Sequence, residues 1–395
     1  MWGFSMSNYG LKITNPNDGV SFIFNEKTSP CAIIWSRAVE ASRGDILKNP
    51  TVGQNGFWYD WECPVKIPSG YRFTIIKSGG MAIVKRRYTG RGVFFDGALE
   101  MIQYSENNGI VTVSGLGDDT QIFVDRLALN NLIKIIAWPD PKLKTPGLNY
   151  GLRVAGNTVF LNEKPPMGYG YAFHKKKMNI NGIFNPKDVD PSLTIDNAIF
   201  FFYTDNSDAI MRAREDYSYL DYSVWSEYVC INKKTGKEMS ANWWVVAFTN
   251  PKGNELSGGT GGLRIRNIKG EITFSSYYGV LSLPVQVPGN NFFAGKAVSL
   301  PNIKRPMYMP TVVGQSIFQP NYDWWNWVEE RWERPTNFYW IGELCLGNND
   351  KYSLSLFNLA RVQDGAGMQN YKDGYREVKT SQPILILDAE TYFNF

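Results

Sequence analysis

The chain has one histidine, His174, and it stands directly before Lys175, Lys176 and Lys177 on a polar run. A serine or cysteine nucleophile of the triad type needs a histidine as its base. A solvated lysine run is a poor setting for that role. No Gly-x-x-x-x-Gly-Lys-Ser/Thr loop occurs that could cradle phosphates. Cys31, Cys63, Cys230 and Cys345 lie too far apart for metal-ligand spacing, and they are too sparse for a disulfide framework. They are expected to be free, buried thiols, and no metal or cofactor is expected. The remaining chemistry belongs to carboxylates. Asp323 and Glu329 stand among Trp324, Trp325, Trp327 and Trp332. Two carboxylates at a suitable separation suffice for glycoside hydrolysis. The same residues also describe a sugar-binding loop, where indole faces stack on sugar C–H faces and carboxylates accept hydroxyl protons. They equally describe a surface segment burying its tryptophans against its own module or a neighbouring subunit. The segment is read here as a contact with a partner subunit or a glycan. Read as a helix, it would place Trp324, Trp327 and Val328 on one face.

A second group, Lys85, Arg86, Arg87 and Arg91, surrounds Tyr88, Thr89 and Gly90. It suits contact with phosphate or an acidic partner. It also suits a charged strand edge that blocks sheet-to-sheet aggregation.

The elements that must position these residues follow a short recurring unit. It reads Tyr9-Gly10-Leu11-Lys12-Ile13, then Tyr150-Gly151-Leu152-Arg153-Val154, then Gly261-Gly262-Leu263-Arg264-Ile265. Each copy alternates apolar and basic residues, as a half-buried strand does. Each runs into turn residues: Asn15 to Gly19, Gly156 and Asn157, and Asn267 to Gly270. A second alternating run follows, carrying Phe22 and Phe24, Phe160, and Phe274. The copies recur at roughly 110–140 residues, too long for a solenoid repeat and right for a domain. The expected fold is all-β. Three tandem antiparallel β-sandwich modules with long loops span residues 1–145, 146–257 and 258–362, followed by a C-terminal tail, 363–395, with one strand.

Strands are expected at Phe200 to Tyr203, Tyr228 to Ile231, Trp243 to Thr249, Asn337 to Leu346 and Tyr352 to Leu359. Lys233 to Gly236 reads as a turn, and Asp208 to Asp216 as one helical stretch. A hairpin is expected around Gly115 to Asp119. The tail strand is Pro383 to Leu387.

Composition bounds the partners. A charge of +4 with 20% charged residues is a weak basic balance, which demands neither nucleic acid nor anionic membrane. Aromatics at 15% favour domain edges and interfaces. The opening Met1 to Met6 lacks a basic n-region and an apolar core. No apolar run approaches the roughly 20 residues that span a bilayer. Synthesis in a reducing cytoplasm without membrane insertion is expected.

The opening Met6-Ser7-Asn8-Tyr9-Gly10-Leu11-Lys12-Ile13-Thr14-Asn15 resembles that of short tail-module proteins of tailed bacteriophages, which begin Tyr-Gly-Leu-Arg-Ile-x-Asn. The resemblance covers about a dozen residues per module. It implies a structural tail component, at the tip, fibre or collar, located in the virion and oligomeric there. It further implies contacts with other virion subunits and a role in host attachment that can involve a surface glycan. It lends no catalytic residues. A carbohydrate-binding adhesin and a polysaccharide-degrading enzyme are the competing readings.

Overall fold

The computed structural model describes residues 4–7, 10–14, 21–25, 31–39, 57–63, 66–67, 69–79, 86–89, 92–95, 101–117, 131–139, 151–152, 161–162, 170–195, 197–214, 227–251, 255–258, 263–266, 269–282, 284–318, 324–326, 330–333, 339–360, 375–379 and 383–395. Among them the regular structure is antiparallel β with four short 3-10 turns. The all-β expectation holds.

A seven-stranded sheet lies at the centre. Its order is Gly279–Val280, Tyr171–Asn181, Ser240–Thr249, Ile199–Tyr203, Pro306–Tyr308, Pro383–Asp388 and Val285–Pro288. Its inner strands are continuous apolar runs because both faces are covered. In Ile199–Tyr203 all five residues are buried. Phe200 and Phe202 face one core with Trp243, Val245, Tyr308 and Ile386. Phe201 and Tyr203 face the other with Trp244, Val246, Met307 and Leu385.

The first core is closed by two further sheets. One pairs Ile183–Phe184, Glu227–Asn232 and Ala209–Arg214; the other pairs Leu354–Ala360, Tyr339–Asn348, Val312–Phe318 and Tyr375–Lys379. They contribute Phe184, Tyr228, Met211, Leu344 and Leu356. Phe202 meets Trp243 edge-on at 6.1 Å and Phe184 at 5.0 Å, the T-shaped geometry that aromatic quadrupoles favour. The second core is closed by a three-stranded sheet, Ala32–Val39, Asn131–Pro139 and Tyr71–Gly79 in that order, through Ile33, Ile76, Ile136 and Trp138. Its other face, with Ala32, Ile34, Ile75 and Ile135, packs on Cys63, Ile67 and Val111, beside the sheet of Phe57–Glu62, Ile110–Gly117 and Met101–Asn107. The alternation of Ile75 with Ile76 and of Ile135 with Ile136 between two cores makes this three-stranded sheet an inner layer.

The three recurring openings are hairpins. Gly10–Thr14 pairs with Ser21–Asn25, Gly151–Leu152 with Leu161–Asn162, and Arg264–Arg266 with Ile272–Ser275. The expected module limits at 257/258 and 362/363 do not separate sheets. Strands from 171–249, 279–308 and 383–388 share the seven-stranded sheet. The aliphatic strand near the end, Pro383–Asp388, is paired on both sides, with Pro306–Tyr308 and Val285–Pro288. The tail carries a second strand, Tyr375–Lys379, in another sheet.

One local expectation is corrected. Ala209–Arg214 is a strand, not a helix, because it is buried on both faces. Ala209 and Met211 enter one core while Ile210 meets Val229, Ile231 and Cys345 in another. The strand at Ile110–Gly117 also turns through Asn108 and Gly109 back to Met101–Asn107. Both turn residues have positive φ, 52° and 81°, the Asn-Gly preference of two-residue hairpins. Residues 118–124, the far side of the expected hairpin, lie outside the described residues.

Candidate functional site

The tryptophan segment is a hairpin. Trp324–Asn326 pairs with Arg331–Glu333, with Trp325 opposite Trp332, Trp324 opposite Glu333 and Asn326 opposite Arg331. Glu330, exposed, takes φ 48° in the turn. The helical alternative for Trp324, Trp327 and Val328 is therefore replaced by a strand at Trp324, as its run of β-favouring aromatics suits. Asp323, Trp327 and Glu329 lie outside the described residues. The backbone brings together Trp324, Trp325 and Trp332 of the expected contact set.

The basic segment is also a hairpin. Arg86–Thr89 pairs with Gly92–Phe95, which sets Arg86 opposite Phe95 and Arg87 opposite Phe94. Lys85 and Arg91 lie outside the described residues.

His174 is not fully solvated. Its Nδ1 lies 3.4 Å from Asp190 Oδ2, and its side chain is about a quarter exposed. Asp190 also accepts from the Ser192 hydroxyl at 2.6 Å and the Ser192 amide at 2.9 Å. Those two bonds, more than the nearby imidazole, hold its carboxyl below the usual carboxylate range. The carboxylate, rather than the imidazole, binds the serine. The trio therefore pins a loop and does not prepare a nucleophile. Lys176 and Lys177 are exposed as expected. Lys176 donates to the Asp188 carbonyl at 2.6 Å, and Lys177 lies over the Trp244 ring at 4.4 Å.

The four cysteines are free and buried, as expected. Burial pushes the Cys230 thiol up to about 11 and the Cys31 thiol higher still, so both stay protonated and inert. Among the described residues no group of three or more His, Cys, Asp or Glu is placed to hold a metal. Nor is any helix there long and apolar enough to cross a membrane.

Two features carry no sequence signature. Lys233 leads the expected turn, but its ammonium is turned inward. It donates to the carbonyls of Ser207, at 2.8 Å, and of Asn348, and it sits 4.3 Å above the Phe357 ring. Burial lowers it to about 8, against the pull of Asp208 and Asp350. Three segments distant in sequence are tied at one cation.

The second is a cleft of about 400 Å³ between two sheets. One wall is Tyr71 to Ile75, on the last strand of the three-stranded sheet. The other is Gln286 with Pro383, where the last two strands of the seven-stranded sheet end. Arg72 is directly opposite Trp138 across the strand pair, and both line the cleft. The cleft forms only when two sheets distant in sequence are stacked, so no local pattern announces it. Compared with known protein families, curated proteins and solved structures, the chain matches none of them.

Proposed function

We propose that the chain is a structural subunit of a bacteriophage tail that acts through contacts, without turnover of its own. The observation that carries this reading is the threefold recurrence of the opening that resembles tail-module proteins. All three copies fold as antiparallel hairpins, at Gly10–Thr14 with Ser21–Asn25, Gly151–Leu152 with Leu161–Asn162, and Arg264–Arg266 with Ile272–Ser275. Strands drawn from residues 171–388 then lock into one sheet, which suits a scaffold. In this reading the Trp324–Asn326 and Arg331–Glu333 hairpin is a docking element for another virion subunit, since tryptophan is enriched among residues that dominate interfaces.

The reading is tested on particles banded in a density gradient. The chain is expected to band with them in a fixed ratio to a tail subunit. Trp325→Ala with Trp332→Ala is expected to reduce its incorporation while leaving its melting curve in place. A chain that stays in the soluble fraction would contradict the proposal. So would release of reducing ends from a bacterial polysaccharide, abolished by replacing Asp323 or Glu329. If the double variant instead unfolds, with losses near the roughly 3–5 kcal/mol of a buried aromatic truncation, the hairpin is core and its docking role is withdrawn.

A further inference from the structure

The seven-stranded sheet has a seam, and we propose that residues 389–395 form a latch across it whose release opens the sheet at that point. The inner block of the sheet is Gly279–Val280, Tyr171–Asn181, Ser240–Thr249 and Ile199–Tyr203. The outer block is Pro306–Tyr308, Pro383–Asp388 and Val285–Pro288. Ile199–Tyr203 is in register with Ser240–Thr249 along its whole length. Towards Pro306–Tyr308, by contrast, the described residues give one partner pair, Phe202 with Tyr308. So short a ladder supplies few of the backbone hydrogen bonds that join strands. The outer block is better joined within itself. Pro383–Asp388 lies between its other two strands and is in register with both, along Val285–Pro288 and along Pro306–Tyr308.

The chain leaves the outer block at Asp388 and returns over the inner one. The Ala389 amide donates to the Arg305 carbonyl at 2.8 Å, which anchors the start of the latch beside the outer strands. Tyr392 is buried in the second core, its ring 5.3 Å from that of Phe248 and its hydroxyl donating to the Val280 carbonyl at 3.3 Å. Phe395 packs 5.1 Å from the Trp244 ring and 5.6 Å from that of Tyr203. Val280, Phe248, Trp244 and Tyr203 all belong to the inner block. Arg305 adds a second tie, donating to the Tyr203 hydroxyl at 3.1 Å and covering the Phe395 ring at 4.2 Å. Single side chains thus make the connection that the short ladder does not. Phe395 is 44% exposed, so its contact breaks without the core first opening. Proteins open locally in cooperative units that few buried contacts hold. Release of Phe395 and Tyr392 frees the outer block as such a unit, in a small fraction of molecules well below the melting temperature. It uncovers the second core where Leu385 and Leu387 enter it. This inference goes beyond the chain's place in a virion, because seam and latch lie within one chain.

The test is hydrogen exchange of the purified full chain, read by mass spectrometry below the melting temperature. The amides of 285–287, 307–308 and 384–388 are expected to exchange together, at least about tenfold faster than those of Ile199–Tyr203 and Ser240–Thr249. Tyr392→Phe removes only the hydroxyl that bonds Val280. It is expected to speed exchange in the outer block by about threefold to tenfold, the loss of one buried hydrogen bond. Phe395→Ala is expected to speed the same amides, and its exposure makes it a second variant that spares the core. Val229→Ala serves as the control. Val229 packs with Ile210, Ile231 and Cys345, away from the seam. This change lowers global stability, so it is expected to speed Ser240–Thr249 and to leave the outer block unchanged. Equal exchange in the two blocks of the wild type would overturn the proposal. So would outer-block exchange unchanged in both latch variants. Val229→Ala speeding both blocks by the same factor would show that the outer block opens only with the whole chain, and would overturn it too.

Discussion

At the scale of single residues, polar side chains tie segments that are distant in sequence. Asp388 accepts from three amides, those of Lys304 at 2.9 Å, Arg305 at 3.1 Å and Glu390 at 3.1 Å. It thereby fixes the corner where the sheet ends. Arg305 then reaches the Tyr203 hydroxyl at 3.1 Å and stacks 4.2 Å from the Phe395 ring, which closes the corner over the core. Lys233 offers a pH test. Its folded value, about 8, lies below the ordinary lysine value because burial disfavours the charge. Between pH 8 and roughly 10 the unfolded chain therefore binds more protons than the folded one, so stability from this group rises with pH. Below pH 8 both states are protonated and the contribution is flat. The melting temperature of the wild type relative to Lys233→Met is expected to climb from pH 7.5 to pH 9. A constant difference would show that the ammonium is solvated.

At the scale of elements, sheet stacking involves a buried lysine. Lys134 is wholly buried on the Asn131–Pro139 strand, and its Nζ donates to the carbonyls of Ile195, at 2.9 Å, and Ala198, at 2.5 Å. Those carbonyls belong to the loop that leads into Ile199–Tyr203. One side chain thus docks the three-stranded sheet onto the seven-stranded one. Lys134→Met leaves both carbonyls without this donor, and each unsatisfied buried group costs about 1–3 kcal/mol. Amide exchange is expected to speed up at 195–199 and along 131–139 before it does so in Ser240–Thr249; unchanged protection at both places would contradict the docking role. The elements also show what sequence can convey. Phe200 to Phe202 and Trp243 to Phe248 announce themselves as strands because runs buried on both faces are uniformly apolar. Ala209–Arg214 is not readable as a strand, since Ala209, Met211 and Arg212 all suit a helix, while its pairing with Glu227–Asn232 and its burial between two cores are set by residues distant in sequence. The Asn108–Gly109 turn carries a local signal, an Asn-Gly pair between two alternating runs. There Gly109 is needed twice over: its φ is 81°, and a Cβ would come within 2.5 Å of the Ile67 carbonyl oxygen.

At the scale of the whole molecule, the chain's order in sequence and its order in space part company. Three recurring openings suggest three independent cores, yet residues 171–388 contribute to one sheet. Local patterns reveal a strand and its turn, while partner choice across more than a hundred residues is decided by which cores fill together. The same limit applies to the sites. The Trp324 to Trp332 cluster is visible because it is contiguous, whereas the residues that line the cleft, Arg72 and Gln286 among them, come to one place only after two sheets stack. The shared sheet predicts that residues 170–388 melt in a single cooperative step. Two well-separated calorimetric transitions assigned to 170–257 and 258–388 would contradict it.

The central claim is that this chain is a tail component, and cryo-electron microscopy of the particle tests it most directly. The account predicts a repeated, symmetry-related density into which the seven-stranded sheet fits, with Ile199–Tyr203 covered on both faces and the Trp324–Asn326 hairpin near a neighbouring subunit. A complete tail reconstruction in which every density belongs to other chains, and none accommodates this sheet, would contradict it.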